Sequence, residues 1–105
     1  MIDDDTEHMV KSIASFIDEH KGSNTICIDV SEVSSWTDSF IISTVQSTGH
    51  LKGLIRELRS FLHTFGIYNQ HRHKKISEHG WELLDCGDIV IHLMSEESRS
   101  FYELE

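Results

Sequence analysis

The chain has 105 residues, a net charge of −9 and a hydrophobic fraction of 38%, which together describe one domain large enough to fold around a core without metal or disulfide staples. No apolar run approaches the ~20 residues that cross a bilayer, and the opening Met1-Ile2-Asp3-Asp4-Asp5 has neither the basic-then-apolar pattern of a secretory signal nor the Arg-rich pattern of a transit peptide. The acidic balance also argues against general affinity for nucleic acid, because phosphates repel such a surface.

From Thr6 to about His20, Met9, Val10, Ile13, Phe16 and Ile17 recur at helical spacing, and Gly22 supplies a stop. Thr25 to Val30 alternates, with Ile26, Ile28 and Val30 on one side, and reads as a strand. A polar loop, Ser31 to Ser39, follows. Phe40-Ile41-Ile42, continuing through Val45, is apolar on both sides, as an interior strand requires. Ser47 or Thr48 caps a second helix from about Gly49 to Phe65, whose stripe is Leu51, Leu54, Ile55, Leu58, Leu62 and Phe65, closed by Gly66.

Residues 67–80 are polar and rich in His and Lys, a loop with at most one short strand. Trp81 to Asp85 and Asp88 to Met94 then flank Cys86-Gly87, a tight hairpin signal. Ser95 caps a last short helix that carries Phe101, Tyr102 and Leu104. The order α-β-β-α-β-β-α predicts an α/β (α+β) domain over residues 1–105, a mixed sheet flanked by helices.

Charge is unevenly spread. Residues 1–38 hold two basic and nine acidic groups, residues 39–77 six basic and one acidic, and residues 78–105 one basic and eight acidic. Acidic ends around a basic middle fit a basic protein partner, and fit ordinary solvated surface equally well. Lys52, Arg56 and Arg59 share one face of the second helix. They read as a solvated stripe or as a contact to RNA phosphates.

Motifs of catalysis are missing: there is no GxSxG, GxxxxGK[ST], HExxH or GxGxxG. Cys86 with His92 is a thin candidate for a nucleophile and its base. Asp85, Asp88 and His92 have metal-like chemistry, but an Asp at a turn ordinarily bonds its own backbone. His71, His73 and His79 stand among Arg72, Lys74 and Lys75, which would repel a cation. No metal or cofactor is expected. Cys27 and Cys86 lack CxxC spacing and read as reduced thiols of a cytosolic protein. Trp81 and the Phe101-Tyr102 pair are aromatics of the kind that anchor protein interfaces or fill cores.

The run GWELLDCGDIVIHLMSEESRSFYELE, with DVSEVSSWTDSFIISTVQSTGHLKGL upstream, resembles the ribosomal silencing factor family, also called the Iojap family, over about residues 6–105. The resemblance implies a nucleotidyltransferase-like fold without that fold's Gly-Ser loop and paired catalytic aspartates. It further implies a cytoplasmic, non-enzymatic translation repressor. Such a repressor binds the large ribosomal subunit through its ribosomal protein numbered fourteen and blocks subunit joining. The implied docking residues are Trp81, Glu82, Asp85, Cys86, Gly87, Asp88 and His92, with Arg99 and Tyr102 in support.

This chain departs from the family where Cys86 replaces an aromatic or large apolar residue. Lys74-Lys75 replaces a Glu-Gly step, and the chain stops at Glu105 before a common Leu-Trp ending. Two other readings stay open: a divergent metal-dependent nucleotidyltransferase using Asp85 and Asp88, and an RNA-binding module using Lys52, Arg56 and Arg59. A homodimer is also left open.

Overall fold

A computed structural model describes residues 4–67, 71–72 and 81–102. In chain order the elements are α1 (Asp4–Glu19), β1 (Ser23–Asp29), β2 (Ser39–Thr44), α2 (Thr48–His63), β3 (His71–Arg72), β4 (Trp81–Asp85), β5 (Ile89–Met94) and α3 (Glu96–Tyr102). This is the expected order, with β3 as the short strand allowed within residues 67–80.

The five strands form one sheet in the order β1-β2-β5-β4-β3. β2 runs parallel to β5, and the other neighbouring pairs are antiparallel. The parallel pair therefore lies inside the sheet, which is why every residue of β5 is buried and why Phe40-Ile41-Ile42 lacks polar alternation. α1 and α2 lie together on one face. Val10, Ile13 and Ile17 of α1 join Leu54, Leu58 and Leu62 of α2 over Ile41, Leu84, Ile91 and Leu93. Each such side chain, fully buried, contributes about 1.5–3 kcal/mol relative to exposure.

Caps fix the helix ends. Ser47 Oγ accepts the His50 N–H at 3.0 Å, and Ser95 Oγ accepts the Ser98 N–H at 3.1 Å. α2 closes with Ile67 N–H on the Leu62 carbonyl and Gly66 N–H on the His63 carbonyl. This paired pattern needs a left-handed residue, which Gly66 supplies at φ 81°.

α1 ends in the same way, but there Lys21 takes the positive φ, 69°. Gly22 stops the helix for a different reason: a Cβ on it would run into the Ile17 side chain and stand 2.6 Å from Ser43 Oγ. The β4–β5 turn centres on Gly87-Asp88, one residue later than the sequence suggested, with Gly87 at φ 86°. A glycine leading a two-residue turn matches the twist of the flanking strands.

Candidate functional site

Alternation and register sort the late hairpin onto two faces. Trp81, Leu83 and Asp85 of β4 pair with Met94, His92 and Val90 of β5, on the face away from α1 and α2. Phe40 and Ile42 of β2 continue that face, opposite Val90 and His92. Ile42, Val90, His92 and Met94 are buried there, whereas Phe40, Trp81 and Leu83 are half-exposed. The result is an apolar band crossed by an aromatic row. Phe40 meets His92 edge-on with centroids 4.7 Å apart, and Trp81 lies 5.7 Å from His92 on its other side.

His92 organises this row. Trp81 Nε1–H donates to His92 Nδ1 at 3.1 Å. An indole nitrogen can only donate, so Nδ1 must be the bare nitrogen and the proton sits on Nε2. Burial pushes the imidazole pKa down from 6.5 to about 4, which keeps the ring neutral. Nε2 is itself buried and has no hydrogen-bond partner among the described residues. The bond uses the one polar group of Trp81 internally, so the indole offers its surroundings an apolar surface.

The remaining expected site residues spread out from this point. Glu82 is 2% exposed and lies on the opposite face, turned toward the helices. Asp85, Cys86, Gly87 and Asp88 sit at the far end of β4 from Trp81, roughly 13 Å away at the ~3.3 Å rise of a strand. Asp85 Oδ1 accepts the Gly87 N–H at 2.9 Å, the turn-forming role expected of it.

Cys86 Sγ points at the Leu84 carbonyl, 4.0 Å away. Burial, aided by the Asp85 charge, pushes its thiol up to about 11, so it is neither a thiolate nor a partner for His92. Arg99 Nη1 donates to Thr44 Oγ1 at 2.9 Å and ties α3 to the end of β2. Tyr102 ends α3, and its side chain lies outside the described residues. So do His73, Lys74, Lys75 and His79, and the side chains of His71 and Arg72.

No group of three or more His, Cys, Asp or Glu side chains comes together among the described residues. Lys52, Arg56 and Arg59, with Ile55, line a shallow groove of about 380 Å³ on α2, and the Arg59 Nε there is buried without a hydrogen-bond partner among the described residues. Among the described residues no helix is long and apolar enough to cross a membrane.

Sequence reading missed the 31–38 loop as a surface. Trp36 is 59% exposed and Val33 87% exposed. The available signal was local: Trp36 follows Ser34-Ser35 with no apolar periodicity around it, so no core stripe claims it.

Comparison with known proteins bears on the family and the fold. A family model described as "Ribosomal silencing factor during starvation" matches residues 3–105. A ribosomal silencing factor of Treponema pallidum is 33% identical over 95 residues, covering 90% of this chain and 84% of that one. The chloroplastic Iojap protein of Arabidopsis thaliana is 29% identical over 106 residues, covering 99% of this chain and 44% of its own. A crystal structure of a Chromobacterium violaceum protein superimposes with a TM-score of 0.81 at 26% identity, over 93% of this chain and 82% of the other.

Proposed function

Because the chain belongs to the ribosomal silencing factors, a family of translational regulators, we propose that it docks on the ribosomal protein numbered fourteen of the large subunit and so keeps the small subunit from joining. It acts in the cytoplasm by occupancy, with no substrate turned over. The observation that carries this reading is the half-exposed Trp81, pinned by His92 in a band with Leu83 and Phe40. A large aromatic held in one orientation anchors a protein interface at low entropic cost. Asp85 adds a negative charge on the same face, suited to a basic partner. His92 holds the row from within the band, and Arg99 ties α3 to the end of β2.

The test is co-sedimentation with purified large subunits and with intact ribosomes. The chain is expected to pellet with free large subunits and not with intact ribosomes, whose joining surface is already occupied. Trp81→Ala is expected to weaken binding by roughly tenfold or more, the usual scale for a central interface aromatic, with the thermal unfolding midpoint little changed. Absence of co-sedimentation at moderate salt overturns the proposal.

A further inference from the structure

A second exposed surface lies at the other end of the sheet. The loop between β1 and β2 is tied to the hairpin turn by Asp38 N–H and Ser39 N–H, which both donate to the Asp88 carbonyl, at 2.9 and 3.1 Å. It is closed on itself by Val30 N–H on the Asp38 carbonyl at 2.9 Å and by Ser34 N–H on the Val30 carbonyl at 2.8 Å. Ser34 Oγ accepts from the Trp36 and Thr37 backbones. The loop therefore has a built shape, and it uses that shape to hold Val33 and Trp36 out into solvent. Exposing two large apolar side chains on one braced loop has a cost unless a partner covers them.

Charge says which partner. The segments that meet here carry Asp29, Glu32, Asp38, Asp85 and Asp88, and the sequence has no Lys or Arg anywhere in residues 22–51 or 76–98. Among the described residues none of these five carboxylates forms an ion pair, the pair seen there being Lys11 with Glu7. Two bonds from Ser31 hold the Asp29 carboxyl below its usual range, so it stays ionised. An RNA backbone or an anionic membrane would be repelled by this surface. A second copy of the chain would bring like charges together. A Lys/Arg-rich protein segment meets both features: its cations pair with the rim, and its aliphatic stems or guanidinium planes lie against Trp36.

We infer that the 31–38 loop, braced on the Asp88 carbonyl, forms a second docking surface, centred on Trp36, for a basic segment of a ribosomal protein. It lies at the opposite end of β4 from Trp81, and it rests on the proposed attachment to the large subunit. Two contacts at separate ends of the sheet would fix the orientation of the bound domain, which a single anchor leaves free to swivel.

The experiment uses the full chain with purified large subunits. Trp36→Ala, Glu32→Lys and Asp88→Lys are compared with Trp81→Ala by equilibrium co-sedimentation. In a parallel arm, a photo-crosslinking phenylalanine analogue replaces Val33, and the crosslinked peptide or nucleotide is identified. Trp36→Ala is expected to weaken binding by roughly tenfold and the charge reversals severalfold, and the crosslink should fall on a Lys/Arg-rich ribosomal-protein segment. Glu32 and Val33 are exposed, so those two arms stand even if Trp36→Ala perturbs the loop. If all three variants bind like the unsubstituted chain while Trp81→Ala is weakened, this inference fails alone. A crosslink to RNA only also overturns it. If the unsubstituted chain does not bind, the occlusion reading fails and takes this inference with it.

Discussion

At the scale of single residues, the Trp81–His92 pair shows how a buried neutral group can prepare a surface one. Asn at position 92 keeps an acceptor close to where Nδ1 stands, whereas Phe fills the same space and accepts nothing. His92→Asn is therefore expected to bind large subunits within a fewfold of the unsubstituted chain, and His92→Phe to bind like Trp81→Ala. The Trp81 indole N–H resonance is expected to exchange slowly in the first variant and fast in the second, a readout that mere packing would not move. The same histidine sets a pH dependence. Its folded pKa of about 4 lies below its unfolded 6.5, so its contribution is intact above pH 6.5 and is lost as pH falls toward 4. The loss is about 3 kcal/mol by linkage. Thermal unfolding of His92→Asn across that range is expected to be flatter than that of the unsubstituted chain by this amount. Alternation along β5 was enough to place His92 with Val90 and Met94 in advance. The bond to Trp81 was not legible, because it depends on hairpin register, and the turn proved to be centred one residue later than Cys86-Gly87 suggested. Trp36 was passed over for a related reason: local pattern tells which residues share a stripe, and an aromatic outside any stripe has no predicted environment.

Elements were easier to read than pairings. α2 announced itself through Ser47, its leucine-and-isoleucine stripe and Gly66, all local features that perform the expected role, whereas Phe65, expected to extend the stripe, lies past the helix end and is 40% exposed. The parallel pairing of β2 with β5 joins segments separated by α2, β3 and β4, and no local spacing encodes it. Gly22 stands between these cases. Its place at the end of α1 was legible, but its cause was not, since the constraint is the approach of the α1 end to Ser43 of β2. Gly22→Ala is accordingly expected to destabilise the domain by about 1–3 kcal/mol through overpacking, read as a lowered unfolding midpoint in urea. Backbone conformation is not the constraint at Gly22, because the positive φ falls on Lys21, where Lys21→Gly is expected to stabilise. The expected gain there is smaller, about 1 kcal/mol, because only the left-handed strain at Lys21 is relieved.

Across the whole molecule a basic groove and an acidic rim stand on different elements. The basic groove of Lys52, Arg56 and Arg59 belongs to α2, over one face of the sheet, while the carboxylates gather where the β1–β2 loop meets the β4–β5 turn. A ribosomal subunit offers both phosphate and basic protein, so a domain with this separation is turned into one orientation as it approaches. Steering of that kind acts on association far more than on dissociation. In stopped-flow mixing with large subunits, the association rate is expected to fall about tenfold or more from 50 to 500 mM salt, with the dissociation rate changing much less. Arg56→Glu, at an exposed position, should slow association and leave dissociation nearly untouched. Naked RNA is a separate matter: a net charge of −9 opposes binding wherever basic protein is not present to offset it. A gel-shift titration with large-subunit RNA is thus expected to show no complex at physiological salt. Tight binding there with a steep salt slope would instead make the α2 groove the main attachment and reduce the aromatic band to a core feature.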